Sequence, residues 1–264
     1  MKHIASRDNP LFKELHRLAA GNGRRDGRVL LDGAHLCQAW LTHYGQPERA
    51  VFDPQRLERP PVAALAAAVA PSNCVSMDGR LLHALSSVEA DQGVLFVVQP
   101  PAPALPRALN ESVLMLDRVQ DPGNVGTLLR TAAAAGLRRA LLSPGCAAAW
   151  SAKVLRSGQG AHFALHIHEN ADLQAVAATL GVPMVATALE ASVSLYEADL
   201  PRACAWVFGH EGQGVAPALL AAARWRVHIP HDAAAVESLN VAAAAAICLF
   251  EHRRRFMAPR PSKR

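Results

Sequence analysis

A chain of 264 residues with 51% hydrophobic residues, 19% charged residues and a net charge of +5 is long enough for one large globular domain or two modest ones. No apolar run reaches the roughly 18 residues of a membrane span, the opening residues lack the apolar core of a signal peptide, and the five scattered cysteines are never spaced as Cys-x-x-Cys. We therefore expect a cytoplasmic protein without a membrane span, a disulfide framework or a zinc site.

Helix-like and strand-like segments alternate over the N-terminal part of the chain. Helices are predicted for NPLFKELHRLAA, AHLCQAWLTHYG and PVAALAAAVA, and strands for RVLLDG, RAVFD and VLFVVQ. Four prolines in the segment QPPAPALPRALN at 99–110 can continue neither a helix nor a central strand. These patterns predict a small α/β domain over residues 1–98 and a linker over 99–111.

The alternation continues at larger scale after the linker. Strands are predicted for SVLMLDRV, RRALLSP, PMVATAL, ACAWVF and WRVHIP, and helices for GTLLRTAAAAG (126–136), ADLQAVAATLG (171–181) and ESLNVAAAAAICLFEHRRR (237–255). KVLRSGQGA (153–161) is predicted to be a turn of helix that enters a glycine-rich loop. Strands separated by helices are typical of a mostly parallel sheet. We assign this second domain to residues 112–256 and treat 257–264 as a basic tail.

Three polar loops follow strands of the second domain, and ligands usually lie beyond the carboxyl ends of parallel strands. In the first loop, Asp121-Pro122-Gly123-Asn124 is predicted to form a turn, with a helix starting at Gly126 and Asn124 near its cap. A turn and a helix cap account for these residues one by one. They do not account for Arg130, one turn into the helix at the same end of the sheet.

The second loop is GHEGQG at 209–214, and the third runs from IPH at 229–231 to ESLNVA at 237–242. Glycines allow backbone groups to approach a ligand closely, although their spacing here is not the G-x-G-x-x-G of a dinucleotide loop. Ser238 resembles a helix N-cap, and Asn240 is predicted in the first helical turn, beside amides that a small polar ligand or a phosphate can use. Three such loops at one end of a sheet predict a ligand site.

The segments DPGNVGTLLRTAAAAG, VFGHEGQGV and IPHDAAAVESLNVAAAAA resemble, in order and spacing, the three motifs of the SpoU (TrmH-type) RNA 2′-O-ribose methyltransferases. The resemblance extends over essentially all of residues 112–252, and KVLRSGQGAHF is similar to a stretch between the first two motifs of the family. The segments ISRDNPLFKEL and VLLDGAHLCQAWL are similar to an RNA-binding domain, related to a ribosomal-protein fold, that many members carry before the catalytic domain.

The resemblance implies an α/β fold of the SPOUT class, in which a parallel sheet carries a C-terminal deep trefoil knot, together with a small N-terminal α/β RNA-binding domain. It also implies a homodimer with the site completed near the subunit interface, and S-adenosylmethionine as the cofactor, held in the knot. The implied cofactor-binding residues are Thr187, Ala188, Gly209, His210, Glu211, Gly214, Ile229, Pro230, Ser238, Leu239 and Asn240. Two of the loops depart from the family pattern, since His210 stands where a small polar residue is common and His231 where methionine is common.

The implied reaction is attack of a ribose 2′-hydroxyl on the methyl carbon of the cofactor, without a metal. The catalytic positions of the family correspond to Asn124, Arg130, Glu211, Ser238 and Asn240. Because an arginine with a pKa above about 12 is a poor proton acceptor, we expect Arg130 to orient and stabilise the nascent alkoxide and the adjoining phosphate. The two asparagines are expected to position the reactants. Glu211 is expected to hold a partner side chain, and Ser238 to contact phosphate or cap the helix.

The positive charge lies at the two ends of the chain. Residues 1–28 contain seven lysines and arginines against three acids, and residues 253–264 contain six against none. Such termini can contact an RNA backbone or only aid solubility. With the resemblance, the residues expected to bind RNA are Lys2, Arg7, Lys13, Arg24, Arg25, Arg130 and Arg156.

The resemblance of the N-terminal domain favours ribosomal RNA over transfer RNA as the substrate. Two alternatives stay open: a non-catalytic RNA-binding or ribosome-assembly protein on the same fold, and a SPOUT enzyme that methylates a base. The intact Asn124, Arg130, Glu211, Ser238 and Asn240 argue against both. A nicotinamide oxidoreductase is disfavoured because the dinucleotide fingerprint and its acidic partner are missing.

Overall fold

The computed structural model describes residues 1–21, 27–86 and 92–256. The described residues cluster into two units: Met1–Pro101 with Trp150–Phe163, and Ala102–Ala149 with the chain from Ala164 onward. The boundary at Pro101 falls inside the proline-rich segment for which a linker is predicted. Residues 150–163 cluster with the first unit, whereas the sequence analysis assigned them to the second domain. Arg24, Arg25 and the basic tail lie outside the described residues.

A five-stranded mixed sheet forms the centre of the first unit. Its strands are β1 (Lys2–Ile4), β2 (Val29–Asp32), β3 (Arg49–Phe52), β4 (Cys74–Met77) and β5 (Val94–Val98), in the order β1-β4-β3-β5-β2. Strand β5 runs antiparallel to both of its neighbours, and the other pairs are parallel. The sequence predicted β2, β3 and β5 but not the short strands β1 and β4. Strand β4 has only four residues, of the sequence CVSM, and is fully buried, so packing against its neighbours decides its conformation.

The helices of the first unit that precede the linker are α1 (Pro10–Ala19), α2 (Ala34–Tyr44), α3 (Pro60–Ala68) and α4 (Gly79–His83). Helix α1 begins as its sequence predicts, because the Asn9 side chain accepts a hydrogen bond from the Leu11 amide and Pro10 occupies the first helical position. Its buried face, formed by Phe12, Leu15 and Leu18, packs in one cluster with β1, β4 and β5. The opposite, exposed face carries basic side chains.

A seven-stranded sheet forms the centre of the second unit, and every neighbouring pair of its strands is parallel. The predicted mostly parallel sheet is confirmed. The strands are β6 (Val113–Asp117), β7 (Arg139–Leu142), β8 (His166–His168), β9 (Met184–Thr187), β10 (Val193–Ser194), β11 (Ala205–Gly209) and β12 (Trp225–His228), in the order β10-β12-β9-β11-β6-β7-β8. The two strands that the sequence did not predict, β8 and β10, are the short strands at the two edges.

The remaining helices are α5 (Pro122–Ala135), α6 (Ala152–Gly158), α7 (Leu173–Ala177), α8 (Pro217–Ala222) and α9 (Val241–Phe256), of which α6 belongs to the first unit. The central strand β11 is buried on both of its faces. Val207 packs in a cluster with residues of α7 and α8, whereas Trp206 stacks edge-on against His252 of α9 at 5.8 Å between ring centroids. Helix α9 also packs against α5. Because helices pack against both faces of the sheet, the strands are held in place, and so are the loops at their carboxyl ends.

Two predicted helix starts are wrong by several residues. Helix α5 begins at Pro122 rather than Gly126, because the Asp121 side chain accepts a hydrogen bond from the Asn124 amide at 2.8 Å and acts as the N-cap. Asn124 therefore lies inside the first turn. Helix α9 begins at Val241, where Asn240 rather than Ser238 caps it, since the Asn240 Oδ1 accepts from the Ala242 and Ala243 amides.

The described residues contain neither a candidate membrane span nor a candidate metal site. Within residues 1–21, 27–86 and 92–256, no helix has both the length and the apolar character needed to cross a membrane. The same residues contain no group of three or more histidine, cysteine, aspartate or glutamate side chains placed to hold a metal ion. The cysteines among them are all free thiols.

Candidate active site

A cavity of about 200 Å³ lies at the carboxyl ends of β9, β11 and β12, beside the start of α9. Nine of the eleven predicted cofactor-binding residues line it: Thr187, Ala188, Gly209, His210, Glu211, Gly214, Ile229, Ser238 and Leu239. Pro230 and Asn240 are not among the described residues that line the cavity, although each adjoins one that is. The structure thus brings together the second loop, the third loop and the segment that follows β9, which are far apart in the sequence.

Several lining residues were missed by the sequence analysis: Leu189, Gly212, Val227, His228, His231, Glu237, Val241 and Ala244. His231 was noted as a departure from the family pattern but was not assigned to the cavity. Seven of them lie within or directly beside the loops that the motifs had indicated, and Leu189 follows the predicted Thr187 and Ala188 after β9. The available signal was proximity in the sequence, because a residue next to a predicted binding residue in a loop can also face the ligand.

Gly209 ends β11 at a very close approach of two backbone segments. A Cβ atom at this position would lie 2.2 Å from the carbonyl carbon of Gly214 and 2.3 Å from the amide nitrogen of Val215. The loop after it is closed by two hydrogen bonds, from the His210 amide to the Gly214 carbonyl (3.1 Å) and from the Gly214 amide to the His210 carbonyl (2.8 Å). Gly214 adopts a φ of +67°, which side chains disfavour. Both glycines are therefore required by the loop geometry.

Glu211 joins the second loop to the first. Its Oε1 accepts hydrogen bonds from the Asp121 amide (3.1 Å) and the Asn124 Nδ2 (3.0 Å), and its Oε2 accepts one from the Gln120 amide (3.2 Å). Partial burial acts to raise the pKa of Glu211, but the hydrogen bonds from Asn124 and from the backbone outweigh it and hold the pKa below its usual range. The stabilisation from this carboxylate is therefore present near neutral pH and is lost as the pH falls through the lowered pKa.

Asn124 and Asn240 join the first loop to the third. The Asn240 Nδ2 donates to the Asn124 Oδ1 at 3.0 Å, although the residues are 116 positions apart. The amide orientation of Asn124 is determined, because a carboxylate only accepts and the Asn124 Nδ2 must face Glu211. The Asn240 Oδ1 is used in capping α9. Glu211, Asn124 and Asn240 thus form one continuous hydrogen-bond network across all three loops.

A second connection, which the sequence analysis missed, runs from the end of β6 to the second loop. Asp117 is 4% exposed, and its carboxylate accepts from the Ala216 amide at 2.8 Å and pairs with Arg118. The hydrogen bond and the charge of Asp117 raise the pKa of Arg118, which also donates from Nη1 to the Gln213 Oε1 at 2.8 Å. Arg118 has a φ of +56°, unusual for a residue with a side chain. The Asp-Arg pair at the end of a buried strand was the available signal.

The structure does not bring Arg130 or Ser238 into this network. Arg130 is exposed on α5, and its side chain makes no hydrogen bond or ion pair with any described residue. Ser238 is exposed and lines the cavity, and the hydroxyl is not the cap of α9. Both side chains are thus available to a ligand.

The predicted RNA-binding residues of the first unit are exposed where they are described: Lys2, Arg7, Lys13 and Arg156. Lys13 forms an ion pair with Asp8 at 3.2 Å. Arg7 and Lys13 lie around a shallow surface depression together with His16 and Arg17, which belong to the exposed face of α1. The first unit therefore presents a basic surface.

The model of the SpoU rRNA methylase family matches residues 111–250, which include all three loops. The chain belongs to this family. An uncharacterised tRNA/rRNA methyltransferase of Synechocystis is 35% identical over 262 residues, covering 95% of this chain and 93% of the relative. The 23S rRNA (guanosine(2553)-2′-O)-methyltransferase RlmP of Bacillus subtilis is 33% identical over 258 residues, covering 96% of this chain and 100% of the relative.

Solved structures agree with this membership. The rRNA methyltransferase of Sinorhizobium meliloti with bound S-adenosylmethionine superposes with a TM-score of 0.85 and 25% identity, covering 97% of this chain and 99% of that one. The predictions of an RNA methyltransferase, of S-adenosylmethionine as its cofactor and of the α/β fold with a parallel sheet are confirmed. This chain is therefore an S-adenosylmethionine-dependent RNA methyltransferase of the SpoU family.

Replacing Glu211 by glutamine tests the hydrogen-bond network. One oxygen becomes an amide nitrogen, which cannot accept from the backbone or from Asn124, so at least one donor loses its partner. We expect Glu211→Gln to weaken binding of S-adenosylhomocysteine by about tenfold, measured by calorimetry. Glu237→Gln is the matched control, because Glu237 also lines the cavity but does not receive these hydrogen bonds. Equal affinities for wild type and Glu211→Gln would contradict the role of the network.

Proposed function

We propose that this SpoU family enzyme transfers the methyl group of S-adenosylmethionine to a ribose 2′-hydroxyl of ribosomal RNA. The observation that carries the proposal is the full-length likeness to a 23S rRNA 2′-O-methyltransferase, combined with the Glu211–Asn124–Asn240 network across the three loops. A base methyltransferase or a non-catalytic RNA-binding protein has no need of this combination of residues.

We infer that the C-terminal segment forms a deep trefoil knot. Two strands, β9 and β11, separate β12 from β6 in the sheet. Asn240 nevertheless bonds to Asn124 in the helix that follows β6, and α9 packs against α5. The chain after β12 therefore crosses the carboxyl ends of β9 and β11, as the threading of a knot requires. Such threading is rare among protein folds.

The cavity is proposed as the cofactor site, and its residues fit the ligand. Leu189, Val227, Ile229 and Leu239 offer apolar surface to the adenine, and the close backbone approach at Gly209 leaves main-chain groups within reach of polar atoms. Pro230 and Asn240 adjoin the cavity and are proposed to support its wall. When bound, S-adenosylmethionine supplies an activated methyl group on a sulfonium.

The residues around the cavity are proposed to orient the ribose and to stabilise charge. Arg130 is a permanently charged fork of donors, suited to the nascent alkoxide and the adjoining phosphate. Asn124 and Asn240, locked by Glu211, keep the first and third loops in register so that the hydroxyl and the methyl carbon are held in line. The free hydroxyl of Ser238 is assigned to a phosphate contact. The reaction requires no metal, because charge is stabilised by side chains.

A homodimer is proposed from the exposed faces of α5 and α9. On α9, Ile247 is 37% exposed and Phe250 is 47% exposed, one helical turn apart. On α5, which packs against α9, Arg130 is exposed. A second copy of the chain that covers the apolar pair would bring an arginine towards the subunit interface, where the site would be completed.

The basic surface of the first unit, formed by Arg7, Lys13, His16 and Arg17, is proposed to contact the RNA backbone, with Lys2 and Arg156 as further contacts. Ribosomal RNA is favoured over transfer RNA by the likeness to the Bacillus enzyme. The same likeness to a bacterial ribosomal RNA methyltransferase supports a cytoplasmic location. RNA affinity is expected to fall steeply as salt concentration rises.

Methyl transfer from labelled S-adenosylmethionine tests the function. The substrates are total ribosomal RNA, transfer RNA and assembled large subunits from cells that lack this protein, each digested to nucleosides after reaction. We expect label in a 2′-O-methylated nucleoside of ribosomal RNA. Label on a base would contradict the ribose assignment, and label in transfer RNA alone would contradict the substrate. Cofactor binding without any label in the three pools would favour the RNA-binding alternative.

A further inference from the structure

The His210 ring accepts two backbone hydrogen bonds inside the second loop. Its Nδ1 lies 2.9 Å from the Gly212 amide and 3.2 Å from the Gln213 amide. A backbone amide can only donate, so Nδ1 must carry a lone pair and no proton. The imidazole thus does what the side-chain oxygen of asparagine or serine does in an Asx or ST turn. Unlike those oxygens, an imidazole nitrogen can also bind a proton.

The loop that this ring stabilises is a wall of the cavity. His210, Gly212 and Gly214 all line it, and the backbone pairing of His210 with Gly214 closes the loop. A Cβ at Gly212 would lie 3.9 Å from Nδ1 and Cε1 of the ring, so the loop backbone passes close to the imidazole. Protonation of Nδ1 would turn an acceptor into a donor that faces two donors. Both hydrogen bonds would be lost, and the loop would move away from the ring.

We propose that His210 is a positioning residue which holds the cofactor loop only while its ring is neutral, so that affinity for the cofactor decreases as the pH falls through the imidazole range. The proposal rests on the proposed function in one respect, that S-adenosylmethionine is the ligand of this cavity. It adds a pH dependence and a residue through which the dependence acts.

The other charged and titratable groups at this cavity do not produce the same effect. Glu211 keeps its charge, because its hydrogen bonds hold its pKa below the usual range. His228 Nδ1 lies 2.9 Å from the Ser192 hydroxyl, which can donate or accept and so suits either state of the ring. Arg118 holds Gln213 and is paired with Asp117. Glu237 also lines the cavity, but no hydrogen bond joins its side chain to the His210 ring among the described residues.

His231 responds to protonation in the opposite direction. Its Nδ1 lies 2.9 Å from the Ile229 carbonyl and its Nε2 lies 3.3 Å from the Glu237 carbonyl. Two carbonyl oxygens only accept, so a doubly protonated ring satisfies both of them and a neutral ring satisfies one. Acid therefore favours the third loop while it disfavours the second. A loss of affinity in acid is assigned to His210 for this reason.

The test is calorimetric titration of the full chain with S-adenosylhomocysteine between about pH 8 and about pH 5.5, a range in which imidazole changes charge. The wild type is expected to lose roughly tenfold in affinity over this range, from two hydrogen bonds. In His210→Asn the Oδ1 atom stands where Nδ1 stood and does not titrate, so its affinity should vary little with pH. His210→Ser provides a second non-titrating acceptor if His210→Asn does not fold.

Two further variants separate the possible causes. His210→Ala has no acceptor and should bind weakly and without pH dependence, whereas His231→Gln should keep the decline of the wild type in acid. A wild-type affinity that does not change with pH would overturn the proposal, as would the wild-type decline in both His210→Asn and His210→Ser. Absence of binding by the folded wild type even at about pH 8 is a different result, which would overturn the cofactor site and this proposal with it.

Discussion

Replacing Arg130 by alanine is expected to lower kcat for methyl transfer by about 10²- to 10³-fold, the loss typical of removing one group that stabilises a developing oxyanion. Binding of S-adenosylhomocysteine should remain nearly unchanged. Arg130 is exposed, is not among the described residues that line the cavity, and makes no hydrogen bond to any of them that its loss would disturb. The measurement is single-turnover methyl transfer alongside calorimetric titration of the cofactor product.

The matched control for this variant is Arg138→Ala. Arg138 is also exposed and lies just before β7, at the opposite end of the sheet from the three loops. The Arg138→Ala variant removes the same charge without changing the proposed site, so its kcat should stay close to that of the wild type. Arg130→Lys should recover only part of the rate, because an ammonium lacks the planar fork. Equal losses of turnover and cofactor affinity in Arg130→Ala would contradict the assignment.

Replacing Gly209 by alanine is expected to abolish most cofactor binding while the rest of the fold persists. The added methyl group would meet the backbone of Gly214 and Val215 at 2.2–2.4 Å, and backbone atoms cannot move aside as a flexible side chain can. Overpacking of this kind costs roughly 1–3 kcal/mol. We expect residues 210–214 of the second loop to be displaced, because they are less buried than strand β11. Affinity for S-adenosylhomocysteine should then fall by about 10- to 100-fold, and Tm should decrease by several degrees.

Gly212→Ala is the control within the same loop. A Cβ at Gly212 would meet its nearest atoms, in the His210 ring, only at 3.9 Å, which is ordinary contact. This variant should fold with a Tm near that of the wild type and should bind far better than Gly209→Ala. If the two variants lost affinity to the same extent, the close approach at Gly209 would not be the cause.

The sequence by itself determined the local features of this protein. Hydrophobic runs such as Val113–Asp117 and Ala205–Gly209 predicted buried parallel strands, and four prolines predicted the break near Pro101. The polar residues of the motifs indicated which loops carry the site. Local signals sufficed here because strand propensity, turn chemistry and the order of the motifs are all encoded within short segments.

The helix starts show where local signals were ambiguous. Asp121 and Ser238 both have side chains that can cap a helix, and both precede a helix-like run. The sequence favoured Ser238 as the cap of α9, yet Asn240 is the cap, because Asn124 holds its amide nitrogen and its oxygen accepts from the helix. A contact across 116 residues thus decided between two caps of similar intrinsic strength.

Only the tertiary structure decided how the site is assembled. The edge strands β8 and β10 exist because a neighbouring strand is present to pair with them, and neither has enough residues to be predicted alone. Glu211 reaches the Asn124 side chain because β11 pairs with β6. Asn124 reaches Asn240 because the C-terminal segment crosses the ends of β9 and β11. Hydrogen bonds between residues so far apart in sequence depend on the path of the whole chain, which no periodicity of apolar residues encodes. The polar residues of the motifs could therefore be read from the sequence, whereas the hydrogen-bond network that joins Glu211, Asn124 and Asn240 could not.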